Sequence, residues 1–141
     1  MRNLLSFAIA VLLQIGISFA QGSETFFNIG AAATSYGPQT WTGDNGLLWN
    51  AVNGRTDQAL TGKAMTIRDA GGNITCNAIP GGCGTLTFNY VRAFTTGSPV
   101  VQLYINGSPY GSTFTSTSAT LQNTGAIAVN AAAPFNLEIR Q

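Results

Sequence analysis

Apolar residues recur at every second position along much of this 141-residue chain. Successive side chains of a β-strand point to opposite faces, so a period of two predicts strands with one face in the core and one in solvent. A helix would repeat its apolar residues every three or four positions. The clearest alternating triplets are Leu86/Phe88/Tyr90, Val101/Leu103/Ile105 and Phe135/Leu137/Ile139.

The alternating segments are short, and residues typical of turns separate them. Asn106-Gly107 is the strongest turn signal and predicts a hairpin between strands at residues 100–105 and 110–115. About eight to ten such strands predict an all-β, antiparallel β-sandwich. The other strands are predicted at residues 25–29, 39–42, 47–52, 63–68, 74–77, 86–90, 126–130 and 135–139.

The first 20 residues have the three parts of a secretory signal peptide. A basic start precedes an almost wholly apolar stretch at residues 4–19, and Ser18 and Ala20 are the small residues that a signal peptidase reads. The stretch is short for a membrane span, and no basic residue follows it directly. We therefore expect residues 1–20 to be a cleaved helical signal peptide. Residues 21–141 would be a single secreted bacterial domain, extracellular or periplasmic, that does not contact the membrane after cleavage.

The net charge of residues 21–141 limits the kinds of molecule that this domain is expected to bind. Loss of Arg2 with the signal peptide leaves five of the six Lys and Arg residues against five Asp and Glu residues, so the net charge is near zero. Nucleic-acid binding and electrostatic membrane docking both need a basic surface, and neither is expected. A surface of Thr, Ser, Asn, Gln and Gly suits neutral sugars or other protein subunits.

Cys76 and Cys83 flank the turn signal Pro80-Gly81-Gly82. In an exported protein two such cysteines predict a disulfide, and the turn would bring the sulfur atoms together. A zinc site is the alternative, but two thiols in a chain without histidine supply a poor set of ligands. We expect Cys83 to lie in the loop, with Gly84 resetting the register before the next strand.

Several short motifs resemble an accessory module of secreted bacterial proteins. They are Glu24-Thr25-Phe26, Ser35-Tyr36-Gly37, Trp41-Thr42-Gly43-Asp44-Asn45-Gly46 with Trp49, the segment 62–68, Gly81-Gly82-Cys83-Gly84 before Phe88-Asn89-Tyr90, and the segment 101–107. The resemblance covers nearly all of residues 21–141. That module is a jelly-roll β-sandwich, often found beside extracellular nuclease, lamin-tail-like or other catalytic domains. The resemblance implies a non-catalytic, carbohydrate-binding-like module, and no catalytic role of a companion domain is carried over.

The sequence contains few of the residue combinations that enzymes use in catalysis. Without histidine, the Ser/His and Cys/His arrangements are impossible. Paired carboxylates, as in glycoside hydrolysis, are the open alternative, with Asp44, Asp57 and Asp69 as candidates. Each lies near Gly or Asn in a predicted turn, where Asp bonds to its own backbone. We therefore expect a protein that is not an enzyme.

Sugar recognition combines a flat aromatic ring with planar polar groups. Tyr104 is the leading candidate, because it points away from Leu103 and shares its side of the strand with Gln102. Polar residues of a second strand would enlarge this platform if that strand shares the face. We expect the two tryptophans to pack over the edge of the core. The candidate ligand-binding residues are Tyr104, Gln102, Asn89, Thr87, Arg68, Trp41 and Trp49.

No cofactor is expected, and a structural calcium ion is the alternative that the sequence leaves open. Glu24, Asp44 and Asn45 carry oxygen ligands suited to calcium, although a turn or capping role explains the same residues. The sequence thus predicts a secreted binding module that contacts a neutral glycan through one sheet face. The alternative is a structural or surface-assembly protein. The expected partner is a polysaccharide or a cell-surface protein.

Overall fold

The computed structural model describes residues 22–68 and 71–141. Within these ranges the chain forms eleven β-strands and no helix, and all strand pairs are antiparallel. The predicted all-β, antiparallel class is therefore confirmed. None of the described residues belongs to a helix with the length and hydropathy of a membrane span. The predicted signal peptide lies outside the described residues.

The strands are β1 (Gly37–Thr42), β2 (Leu48–Arg55), β3 (Thr66–Ile67), β4 (Asn73–Ile79), β5 (Cys83–Leu86), β6 (Asn89–Tyr90), β7 (Val100–Ile105), β8 (Ser108–Thr115), β9 (Gln122–Asn123), β10 (Ile127–Ala131) and β11 (Phe135–Arg140). Seven of them form the main sheet, in the order β1-β2-β4-β11-β7-β8 with β3 paired to β2. β5 pairs with β10 and β6 pairs with β9 in two small sheets. β11 therefore lies inside the main sheet, between β4 and β7.

One face of the main sheet forms the core. Trp41, Trp49, Ile74, Leu103 and Leu137 come from five strands of this sheet, and each is at most 7% exposed. β10 adds buried side chains to the same cluster. In addition, the hydroxyl of a tyrosine in β8 donates to a β10 carbonyl oxygen over 2.6 Å, so β10 is held on the core face. The two contributing β10 side chains are Val129 and Ala131.

The alternation in β7 has the predicted outcome. Leu103 is 0% exposed in the core, and Tyr104 lies on the opposite face, where it is partly exposed. The predicted hairpin is also confirmed, because Asn106 and Gly107 have φ angles of 52° and 79°. Two positive φ values are the requirement of a type I′ turn, which matches the twist of the flanking strands. The second strand begins at Ser108, earlier than predicted.

The predicted strand at residues 25–29 is wrong, because this segment contains no strand. The Asp44 carboxylate accepts a hydrogen bond from the Thr25 N–H over 2.8 Å. The Glu24 carboxylate accepts one from the Phe26 N–H over 2.9 Å. These carboxylates take up the N–H groups that a strand would donate to a neighbour, and Phe26 has a φ of 60°.

Two further strands differ from their predicted bounds. The strand at residues 86–90 is divided, because β5 ends at Leu86 and β6 begins at Asn89, after two intervening residues. Cys83 begins β5 and pairs with Ala131, so the prediction that it lies in the loop is wrong. A register shift does occur, but within the pairing, between Ala128 and Ala131 of β10, and not before the strand begins; Cys83 and Leu86 both pack against the core. The strand predicted at residues 63–68 shortens to β3.

Substitutions on the two faces of β7 should lower the stability of the protein by unequal amounts. Leu103→Ala should lower the free energy of unfolding by about 2–5 kcal/mol, because it leaves a cavity in a fully buried site. Tyr104→Ala should cost about 1 kcal/mol, since its ring is partly exposed. Urea denaturation followed by tryptophan fluorescence measures both values. A larger loss for Tyr104→Ala than for Leu103→Ala would show that the assignment of the faces is reversed.

Candidate functional site

The face of the main sheet opposite the core carries a continuous row of side chains from five adjacent strands. Thr40 pairs with Asn50, and Asn50 pairs with Thr75. Thr75 then pairs with Glu138, and Glu138 pairs with Tyr104. Paired residues of antiparallel strands project to the same side of the sheet, so these five form one line, here called the polar row.

A second row runs beside the polar row on the same face. Val52 pairs with Asn73, Asn73 with Arg140, and Arg140 with Gln102. The two rows together are here called the outer face. It therefore presents hydroxyl, amide, carboxylate, guanidinium and phenol groups on one face of the sheet.

Opposite charges cancel at the centre of the outer face. Arg140 donates from Nε and Nη2 to the two carboxylate oxygens of Glu138, each over 2.8 Å. This hydrogen bonding raises the pKa of Arg140 above its already high ordinary value, so the guanidinium stays charged. The guanidinium carbon lies 4.1 Å from the centre of the Tyr104 ring. Asn73 Nδ2 donates to Glu138 Oε1 over 3.0 Å, which fixes the carboxylate further.

Gln102 lies on the outer face as predicted, but its amide is used within the protein. Its Nε2 donates to the carbonyl oxygen of Leu103 over 3.0 Å and to that of Tyr110 over 2.9 Å. The register between β7 and β8 shifts between Val101 and Leu103, next to this side chain. Gln102 therefore bridges the irregular part of the ladder, and its N–H groups are not available to a ligand.

The two candidate tryptophans are not part of the outer face. Trp41 and Trp49 are 4% and 7% exposed, and their rings stack with centroids 6.0 Å apart. They lie on the core side of β1 and β2, which agrees with the prediction that they pack over the core. The prediction that these tryptophans bind a ligand is therefore wrong for the outer face.

Thr87, Asn89 and Arg68 do not join Tyr104 either, so the enlarged platform is not formed. Thr87 lies between β5 and β6, and Asn89 pairs with Asn123 in a small sheet. The guanidinium of Arg68 lies over the ring of Tyr36, at 5.7 Å from its centre. All three candidates instead line a separate open cleft of about 1440 Å³.

The predicted calcium ligands are bonded to protein groups. Glu24 accepts hydrogen bonds from Trp41 Nε1 over 3.3 Å and from the Asp44 N–H over 3.1 Å. Asn45 Oδ1 accepts from the Leu47 N–H over 3.1 Å. The described ranges contain no group of three His, Cys, Asp or Glu side chains that could hold a metal ion. The contacts that are present are those of turn capping, and calcium binding stays a prediction.

Two of the carboxylates considered for catalysis, Asp57 and Asp44, also accept hydrogen bonds from protein groups. Arg55 donates to Asp57 from Nε over 2.6 Å and from Nη2 over 2.5 Å. The hydrogen bonds from Arg55 lower the pKa of Asp57 to about 2, so this carboxyl is ionised near neutral pH and cannot act as a general acid. Asp44 accepts hydrogen bonds from Thr25, and Asp69 lies outside the described residues.

Cys76 and Cys83 are free thiols in the structure, so the predicted disulfide is not formed in it. Cys83 lies in β5, where it pairs with Ala131. Burial, with a smaller contribution from the charge of Glu24, raises the pKa of Cys76 to about 11. Burial also raises the pKa of Cys83. Both thiols therefore resist ionisation at neutral pH.

Comparison of the chain with models of protein families, with curated proteins and with solved structures found no match. The resemblance to a carbohydrate-binding-like module therefore stays a prediction.

Seven outer-face residues were missed from the sequence as binding candidates: Thr40, Asn50, Val52, Asn73, Thr75, Glu138 and Arg140. Glu138 and Arg140 do alternate with the buried residues of β11, so their outward direction was visible in the sequence. Their position beside Tyr104 was not, because it depends on the pairing of β11 with β7. Asn73 and Thr75 join the face for the same kind of reason, through the pairing of β4 with β11.

Because the Cys76 thiol is buried, we expect the folded protein to lose stability in alkali. The folded state keeps its proton up to a pKa of about 11, against an ordinary value of 9.0. The unfolded state therefore binds fewer protons at high pH, and stability falls as the pH rises from about 9 to about 11. We expect a loss of about 2 kcal/mol, since one pKa unit corresponds to about 1.4 kcal/mol.

Urea denaturation under reducing conditions at several pH values measures this slope. In Cys76→Ala the slope should be smaller by the same amount, whereas Cys83→Ala, whose thiol is less buried, should change it less. Identical slopes for the wild-type protein and Cys76→Ala would contradict the burial of a neutral thiol at this position.

Proposed function

We propose that this protein is a secreted, non-catalytic binding module that contacts a neutral glycan through its outer face. We also propose that the main sheet and the small sheets are the two layers of a jelly-roll-like sandwich. Support for the second layer comes from Val129 and Ala131 of β10, which are buried in the same cluster as the core face of the main sheet.

The observation that carries the functional proposal is the position of Tyr104 in the polar row. Its ring is partly exposed, and it lies beside the ion pair of Glu138 and Arg140. An aromatic ring beside planar hydrogen-bonding groups offers a sugar both an apolar contact and partners for its hydroxyl groups. Thr75 and Asn50 continue the row with further polar groups.

The charge balance of the outer face favours a neutral ligand. Glu138 and Arg140 are its charged residues, and they neutralise each other through two hydrogen bonds. A ligand with a net charge would gain little attraction here, and it would compete with a pair already formed. Hydroxyl groups can instead bond to the remaining guanidinium N–H groups and carboxylate lone pairs without breaking the pair.

The face is also held in place before any ligand arrives. Asn73 Nδ2 and both Arg140 donors fix the Glu138 carboxylate, and the guanidinium covers part of the Tyr104 ring. Thr40 Oγ1 donates to Asn50 Oδ1 over 3.1 Å at the other end of the row. Binding to such an ordered surface loses less side-chain entropy, which supports recognition by a flat sheet.

A glycan array, followed by isothermal titration calorimetry with neutral polysaccharides that score on it, tests the proposal. Tyr104→Ala should weaken binding by about tenfold or more, because it removes the aromatic contact. Phe27→Ala is the matched control, since Phe27 is an aromatic residue that is 73% exposed outside the outer face. This control should bind as the wild-type protein does.

Circular dichroism must show that both variants keep the fold. Absence of any neutral glycan ligand, or equal affinity of Tyr104→Ala and the wild-type protein, would rule out recognition through this face.

A second candidate function, protein assembly, has one observation in its favour. Leu48 and Val52 are 57% and 50% exposed, and both flank Asn50 on the outer side of β2. Exposed apolar side chains on a flat sheet suit contact with another protein. Light scattering after size exclusion separates the two functions. An assembly that Leu48→Lys dissociates would favour this candidate, and a monomer at high concentration would exclude self-assembly.

A further inference from the structure

Exposed apolar side chains are concentrated in the open cleft. The described residues contain seven large hydrophobic side chains that are exposed, and four of the seven line this cleft. Scattered exposed apolar residues are normal, but a group of them around one concave surface indicates a place where another molecule binds. The four are Leu60, Phe94, Val100 and Leu121.

The cleft lies where the core face of the main sheet is incompletely covered. Ile74 of β4 and Ile139 of β11 contribute to its lining, and Ile139 is only half-buried. Residues 58–68 and 87–94 supply much of the remaining lining. The volume of about 1440 Å³ exceeds the range of about 300–1,000 Å³ that is usual for small-molecule sites. An open cleft of this size suits a segment of polymer.

The charges of the cleft are predominantly positive among the described residues. Lys63, Arg68 and Arg92 line it, against the single carboxylate side chain of Glu24. That carboxylate accepts hydrogen bonds from the N–H groups of Phe26, Trp41 and Asp44, which lower its attraction for a further cation. An acidic partner therefore complements the cleft, whereas the outer face is neutral.

Arg92 has an unused donor in this lining. Its Nη1 donates to the Gly97 carbonyl oxygen over 3.0 Å, and its backbone N–H donates to Ser118 over 3.2 Å. The Nε–H is buried and has no hydrogen-bond partner among the described residues. A carboxylate is the acceptor that fits a guanidinium best, so the charge of Arg92 favours an acidic partner.

We propose that the cleft is a docking site for an extended peptide segment of a partner protein that carries both apolar and acidic side chains. Its apolar side chains contact Leu60, Phe94, Val100 and Leu121, and a carboxylate pairs with the guanidinium of Arg92. A glycan fits less well, because the exposed leucine and valine side chains offer no partner for hydroxyl groups. This site is separate from the outer face and does not depend on glycan binding.

Fluorescence anisotropy of the mature protein with labelled synthetic dodecapeptides tests the proposal. One panel alternates Leu, Val or Phe with Glu, and a matched panel has Lys in place of Glu. We expect members of the Glu panel to bind at least about tenfold more tightly than their Lys counterparts. Arg92→Gln should reduce this preference, and the affinity should fall as the salt concentration rises.

Leu121→Glu provides the second variant, because Leu121 is 45% exposed and its replacement leaves the core intact. It should weaken binding of the Glu panel by about tenfold or more, through loss of apolar contact and repulsion. Leu48→Glu makes the same change at a leucine outside the cleft and should have no effect. No binding of the Glu panel, equal binding of both panels, or equal losses in Leu121→Glu and Leu48→Glu would overturn the proposal.

Discussion

The pairing of β11 with both β4 and β7 is the constraint on which the rest of the structure depends. Leu137 and Phe135 of this strand are buried in the core, and Glu138 and Arg140 point to the other side. A shift of one residue in this pairing would exchange the two sets, because side chains alternate along a strand. The core and the outer face are therefore consequences of the same register, and they cannot vary separately.

The two surfaces described above differ in their chemistry. The outer face is flat, polar and neutral, with an ion pair held against Tyr104. The cleft is concave and partly apolar, and Lys63, Arg68 and Arg92 make its described lining predominantly positive. A flat neutral face suits hydroxyl groups, and a positive apolar cleft suits an acidic peptide. The two proposed binding functions therefore use separate surfaces.

The local features of this fold could be predicted from the sequence, whereas the long-range pairing could not. Alternation assigned Leu103 to the core and Tyr104 to the other face, because side-chain direction depends only on the strand itself. Asn106-Gly107 likewise determines its own turn. The placement of Thr87 and Asn89 beside Tyr104 failed, because it required the order of strands, which no local pattern contains.

The failed strand at residues 25–29 and the position of Cys83 in a strand have related causes. In the first case, side chains distant in sequence, such as Asp44, take the backbone N–H groups of Thr25. In the second, Cys83 pairs with a strand that lies far along the chain. Both are contacts between distant segments, and they override what the local sequence favours.

Cross-strand nuclear Overhauser effects measured on the isotopically labelled domain test the central register most directly. The structure predicts contacts between the backbone protons of Thr75 and Glu138, and between those of Glu138 and Tyr104. Contacts that pair Glu138 with Leu103 or Ile105 instead would show a register shifted by one residue, and they would contradict both the core and the outer face.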